Sequence, residues 1–353
     1  DVAMGRTPAD LAIINGRLVN VITAEIYDAG VAVKGDRIAA VGDINYTIGP
    51  NTQVIDAKGQ YITPGLIETH YHMYESYLTS TQLARAVLPC GTTSMPEAFY
   101  GIGIVGGTKA VKFFYDELLN TPCRLLFQVP ILAYLQNDEL GIPKTKCAPT
   151  IEDLHDMLDW EACVGLEEPP AIPIYEKDPE MLGLFEAVLA RKKAITGHGT
   201  QLRGRELQAY VIMGAASDHE TVLVDEAIEK VRLGLSISVR EGTQMTDLRT
   251  LIKCLTEHKM DARYFNMCND IAAPRKLATE GNLDQNIRLA ISCGVNPITA
   301  IQMATLNAAE LLRVDQDLGA ITPGRFADIL LVSDLPSFNV TMTIAGGKVV
   351  AKD

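Results

Sequence analysis

The sequence is poor in the features that mark several classes of protein. No apolar run approaches the roughly 18 residues needed to span a bilayer. The N-terminus has no basic, apolar, small-residue leader, and its start at Asp1 in place of Met leaves room for a trimmed beginning. Basic residues are few: 31 Lys and Arg face 44 Asp and Glu, for a net charge of −13. That field repels phosphate backbones and anionic membrane surfaces, and no local Lys/Arg cluster reverses it. Nucleic acid and membrane are therefore excluded as expected partners, which leaves a small-molecule substrate. The seven cysteines (Cys90, Cys123, Cys147, Cys163, Cys254, Cys268 and Cys293) are odd in number, with no C-x-x-C pair. They read as thiols in a reducing compartment, the cytoplasm. Repeats, low-complexity tracts and linkers are also missing.

What is present is ordinary globular composition, 47% hydrophobic and 21% charged, with 28 Gly and 17 Pro spread over 353 residues. The length suits a barrel of about 250 residues with a smaller partner. From Asp10 to Ala57 the text is short alternating strands, with Asn15-Gly16 and Gly35-Asp36 as hairpin signals. The segment from about Leu318 repeats that style, so the two ends are expected to close one sandwich. Between them, strand-like runs alternate with helical stretches, ending at 66–70, 91–96, 123–130, 162–168, 193–199, 215–220, 235–241 and 263–270. The expected class is α/β: a (β/α)8 TIM barrel over residues 64–317, with a small composite β-sandwich from residues 1–63 and 318–353.

Only six histidines exist, and four fall at carboxyl ends of expected strands, where barrel enzymes build their sites. His70 and His72 flank Tyr71, and the period of two in a strand puts both imidazoles on one face, able to share a metal. His198 follows strand five, His219 follows strand six, and Asp270 ends strand eight. Such a mouth suits two divalent ions, Zn, Mn or Fe. An anion from strand four would bridge them; Glu168 can serve and Glu167 is its rival, since alternation lets only one face the axis. His155 and His258 sit in charged helical text and read as solvent-facing. Cys268 reads as a small buried hydrophobe. The Gly-rich stretch 101–109 lacks the G-K-[ST] ending of a phosphate loop and reads as a mobile loop.

Longer blocks carry a resemblance: G-R-T-P-A-D-L-A-I-I-N-G-R-L-V-N-V near the start, A-R-A-V-L-P-C-G-T-T at 84–93, A-Y-V-I-M-G-A-A-S-D-H-E at 209–220 and P-I-T-A-I-Q-M-A-T-L-N-A-A-E at 297–310. With them the chain resembles the adenine deaminases of the amidohydrolase superfamily over nearly its whole length. The resemblance implies the barrel with its sandwich, and a two-metal site bridged by Glu168. Three departures stand out. Tyr74 replaces the glutamate expected after the first histidines, Ala98-Phe99-Tyr100-Gly101 stands for an acidic D-P-H-E segment, and Asp270 is followed by Ile271 where a second aspartate is usual. The family's extra C-terminal domain is also missing from the text.

The residues thus point to a metal-dependent amidohydrolase. A metal-bridging hydroxide would attack a C–N bond of a cyclic amide, imide or amino-heterocycle, with Asp270 moving the proton and His219 orienting the substrate. Arg240 could hold a substrate oxygen, or pair with Glu241 or another rim acid. Tyr74, Tyr100 and Ile271, with Met95 and Phe99, favour a less polar substrate. Adenine deamination using Glu75 or Glu97 as substitute acids is the second reading. An inactive barrel acting as a binding protein is the third. Superfamily analogy suggests a homo-oligomer.

Overall fold

The computed structural model describes residues 1–135, 141 and 144–353. Its chain opens with five strands: β1 Leu11–Asn20, β2 Glu25–Lys34, β3 Arg37–Gly42, β4 Gln53–Asp56 and β5 Tyr61–Pro64. Three more close it, β14 Ile329–Val332, β15 Val340–Ala345 and β16 Lys348–Lys352. Together these form one sheet in the order β16-β15-β14-β5-β1-β2-β3, with β4 beside β1. The two ends of the chain meet where β14 runs antiparallel to β5, pairing Ile329 with Pro64 and Leu331 with Ile62. Apolar side chains from both ends share one cluster there, including Ile13, Leu18, Ile62, Ile329 and Ile344.

The two hairpin signals fare differently. Gly35-Asp36 is the turn between β2 and β3, with Lys34 opposite Arg37. Asn15-Gly16 is not a turn: β1 runs straight through it, and the register against β2 shifts between Ile13 and Gly16. Asn15 takes φ +56°, so the pair forms a bulge inside the strand, which the apolar stretches on either side hold in place by continuing the ladder.

The middle of the chain supplies eight parallel strands: β6 Leu66–Ile67, β7 Thr92–Glu97, β8 Arg124–Pro130, β9 Cys163–Glu167, β10 Ala194–Gly197, β11 Ser217–Asp218, β12 Ser236–Arg240 and β13 Phe265–Cys268. Each pairs with its neighbour in sequence, giving the order β13 to β6. Beyond the named strands Tyr71 bridges Asp270 in parallel, so the two edges of this curled sheet are joined. The His72 amide donates to the Asp270 carbonyl at 2.8 Å, and the Asp270 amide to the His70 carbonyl at 3.1 Å. The curl is that of a TIM-like barrel. Helices pack against the outer face, where Leu125, Phe127 and Val129 of β8 join Val111, Tyr115 and Leu118 of helix Tyr100–Leu119 in one buried cluster. Burial on both faces accounts for apolar runs such as Arg124–Pro130, in which every residue but Arg124 is buried.

Close strand packing fixes particular glycines. A Cβ on Gly165 of β9 would lie 2.1 Å from the Ala194 carbonyl of β10. We expect Gly165→Ala to destabilise the protein by about 1–3 kcal/mol, the usual scale of overpacking, seen as a lower thermal midpoint. An unchanged midpoint would show that β9 and β10 separate without cost.

The stretch 101–109 is the start of helix Tyr100–Leu119, not a loop. Its glycines break the helix only at Gly107, where φ is +66° and a Cβ would meet the Cys147 carbonyl at 2.1 Å. His258 is exposed as expected, while His155 is half-buried on helix Ile151–Met157. Cys268 is fully buried. Among the described residues no helix is long and apolar enough to cross a membrane.

Candidate metal centre

The carboxyl ends of the parallel strands bring His70, His72, Glu168, His198, His219 and Asp270 into one cluster. Period-two geometry accounts for the first pair: Tyr71 is buried in the apolar cluster while His70 and His72 lie edge to face at 4.5 Å. Glu168 sits at the centre. Its Oε1 is 3.1 Å from His219 Nε2, 3.2 Å from His198 Nδ1 and 3.5 Å from His70 Nε2, and its Oε2 is 3.6 Å from His72 Nε2. Asp270 Oδ1 lies 3.4 Å from His72 Nε2 and 3.6 Å from His70 Nε2.

Two of these carboxylates owe their aim to the backbone. Glu168 follows β9 at φ +50° and Asp270 follows β13 at φ +59°, left-handed conformations that cost a non-glycine residue about 1–3 kcal/mol. The kink at Glu168 ends simple alternation. Glu167 and Glu168 therefore both reach the cluster, and Glu167 Oε1 stands 3.6 Å from His70 Nδ1. The expectation that only one of them faces inward is corrected on that ground.

The donors fit a divalent cation. Both ring nitrogens of His70, Nδ1 of His72, Oε1 of Glu167 and Oε2 of Glu168 are buried without a hydrogen-bond partner, an arrangement that costs free energy unless something else binds them. Ligand atoms of His70, His72 and Asp270 lie within 4.8 Å of one another, as do those of His70, Glu168 and His219, of His198, His219 and Glu220, and of His72, Glu167 and Glu168. Imidazole and carboxylate donors of this kind suit Zn, Mn or Fe.

Charge in the cluster is divided unevenly. Burial, reinforced by His219 and His72, pushes the His70 imidazole down to about 3. Burial also opposes charge on His72, but Glu168, Glu167 and Asp270 outweigh it and hold His72 well above its ordinary value. For His198 the burial penalty is overcome by Glu168, which lifts it to about 9. Burial would raise Glu168 and Asp270, yet the surrounding imidazoles keep both below the usual carboxylate range. Burial, against the pull of His72, keeps Glu167 well above that range, with Glu168 adding to the rise. A divalent cation needs these imidazoles neutral, so binding it competes with protons on His72 and His198.

The remaining expected residues surround this cluster. Arg240 forms ion pairs with Glu220, with Asp247 at 3.0 Å and with Asp270 Oδ2 at 3.2 Å. Its partners are these acids and not Glu241. The Tyr74 hydroxyl donates to Glu75 Oε1 at 2.7 Å and lies 2.6 Å from the Tyr100 hydroxyl. The Tyr100 ring meets the edge of His72 at 5.0 Å. Ile271 is half-buried beside Asp270. Glu97 is 1% exposed, and its two oxygens accept the Met73 and Phe99 amides at 2.6 and 2.7 Å. It is committed to holding the chain just after His72. Met95 and Phe99 are fully buried in the apolar cluster between sheet and helices, so they do not line the mouth.

Sequence reasoning passed over Glu220, whose carboxylate is 3.5 Å from His219 Nε2, although it stands in the same S-D-H-E motif. Glu68 was also missed: it is fully buried and accepts the Asn269 amide at 3.0 Å and side chain at 2.8 Å, tying the segment before His70 to that before Asp270. Its place two residues before the H-x-H pair was the available signal.

The model of the amidohydrolase family matches residues 61–350. Adenine deaminase 4 of Rhizobium meliloti is 38% identical over 99% of this chain and 58% of its own length. An adenine deaminase of Clostridium botulinum is 38% identical over 100% of this chain and 59% of its own. The chain thus spans somewhat under three fifths of these curated relatives. Among solved structures, a D-hydantoinase (dihydropyrimidinase) from Thermus sp. superposes with a TM-score of 0.71 at 16% identity, covering 97% of this chain and 95% of that one. The crystal structure of an adenine deaminase gives 0.68 at 16%, covering 98% and 100%.

Proposed function

The chain belongs to the amidohydrolase family, and from that premise we propose that it is a divalent-metal-dependent hydrolase attacking a C–N bond of an amino-heterocycle or a cyclic amide or imide. The observation that carries this reading is the convergence of four histidines, Glu168 and Asp270 from five separate strand ends on one cluster, all but His198 buried. In this reading residues 64–317 form the (β/α)8 barrel, supported by the Tyr71–Asp270 bridge. Residues 1–63 and 318–353 form one composite β domain, supported by the β5–β14 pairing. Seven free thiols support a cytoplasmic setting.

His70, His72, Glu168, His198, His219 and Asp270 would hold two ions, with Glu168 shared because all four imidazoles approach its carboxylate. Bound divalent ions supply a water of lowered pKa and polarise the substrate's electrophilic atom. Asp270 takes the water's proton and returns it to the leaving nitrogen. Arg240 grips Asp270 Oδ2 and so leaves Oδ1 facing His70 and His72. His219 orients the substrate. Tyr74, Glu75, Tyr100, Ile271 and Arg240 are the residues this reading assigns to holding the substrate. Glu97 acts indirectly, by fixing the backbone after His72.

The 38% identical relatives favour a second reading, deamination of adenine to hypoxanthine and ammonia. Protein loaded with Zn, Mn or Fe(II) should be assayed on adenine, other aminated heterocycles, lactams, hydantoins and cyclic imides. Ammonia from adenine establishes the second reading, and ring opening without ammonia removes it. Metal-loaded protein that binds such compounds but turns over none of them would overturn the hydrolase proposal in favour of a binding protein.

A further inference from the structure

Lys230 lies on helix Val224–Arg232, whose pattern reads as an amphipathic surface helix, yet it is 0% exposed. An ammonium group is almost never fully buried unless its charge and protons are matched. Here four acceptors surround Nζ: Glu226 Oε1 at 2.6 Å, the Gly199 carbonyl at 2.7 Å, Asp218 Oδ2 at 2.8 Å and Thr221 Oγ1 at 2.9 Å. Asp218 in turn accepts the Gly199 amide on Oδ1 at 2.6 Å and the Thr221 hydroxyl on Oδ2. Both backbone polar groups of Gly199 are therefore pinned by one buried ion pair. Gly199 is the neighbour of His198, and Asp218 is the neighbour of His219.

We infer that Lys230 is a positioning residue that, through Asp218 and Gly199, locks the loops after β10 and β11 together and sets the placement of His198 and His219 for metal binding. The inference rests on the metal-site reading above. An apolar side chain of similar length would fill the space, but would leave Asp218, Glu226 and the Gly199 carbonyl without their shared partner. Partners behind a ligand tune affinity by holding the ligand's orientation, and losing one typically weakens metal binding about 10- to 100-fold.

The test is a Co(II) titration of metal-stripped protein, followed by visible absorption, on the wild type, Lys230→Met and Thr221→Val. Thr221→Val keeps every charge and removes one hydroxyl from the same network, so it provides a folded variant should Lys230→Met not fold; far-UV circular dichroism establishes which are folded. The expected result is Co(II) binding weakened about 10- to 100-fold in Lys230→Met. Its absorption bands should also shift, because the ligand geometry has moved, and Thr221→Val should change in the same direction by less. A purely structural lysine would lower the thermal midpoint and leave affinity and spectrum alone. Wild-type affinity and spectrum in folded Lys230→Met, or in Thr221→Val if that is the one that folds, overturn the inference while the metal site stands. A wild type that takes up no Co(II) overturns the site itself.

Discussion

Asp270→Asn is expected to lower kcat by about 10³-fold, within the range that a positioned acid–base group contributes. The amide keeps the volume of the carboxylate but cannot accept and return a proton. It also cannot serve as the anion that faces His70 and His72 at 3.6 and 3.4 Å. Because Arg240 is held by Glu220 and Asp247 as well, its charge stays matched after the substitution, and the fold should survive. Steady-state kinetics with metal analysis on the same samples decides the matter. Turnover within tenfold of the wild type, at equal metal content, would remove Asp270 from the chemistry.

Glu168→Gln should have the larger effect on cation binding. All four imidazoles face this one carboxylate, and its removal leaves them around a neutral amide whose NH2 group points a donor at their lone pairs. Affinity should fall by at least about 100-fold, the upper end of what loss of an indirect partner produces. The same experiment reads stability. A cation present at about 1,000 times its Kd stabilises the native state by about 4 kcal/mol, so chelation should lower the wild-type thermal midpoint and restoration of metal should recover it. In Glu168→Gln, at the same cation concentration, that metal-dependent gain should shrink to about 1.4 kcal/mol or less. Glu167→Gln is the informative comparison, since among the described residues Glu167 approaches only His70 within salt-bridge distance. If Glu167→Gln loses the metal and Glu168→Gln keeps it, the central role passes to Glu167.

Several parts of this site could be read from spacing. His70 and His72 are two apart, and in extended chain that places them on one side whatever the surrounding fold. His198, His219 and Asp270 each follow an apolar run, and runs of that kind end at the functional face of a parallel sheet. Alternation failed at Glu167-Glu168 because it assumes extended backbone, whereas Glu168 turns left-handed and swings its side chain alongside that of Glu167. Asn15-Gly16 misled in the same manner: the pair favours positive φ, but positive φ makes a bulge as readily as a turn, and pairing on both sides of β1 selected the bulge. Lys230 was invisible because its acceptors come from three separate segments, at Gly199, at Asp218 and Thr221, and on its own helix at Glu226.

The order of residue types along the chain determined the eight parallel strands, the strand-end positions of the imidazoles and the acidic exterior, because these depend on local periodicity and net charge. Tertiary structure alone decided that Glu168 is the common neighbour of four histidines, that Glu167 joins it, and that Arg240 grips Asp270 in preference to Glu241. Those outcomes depend on which distant segments arrive within about 4 Å of each other, the distance at which charges in a buried site interact strongly. Local pattern does not specify that distance.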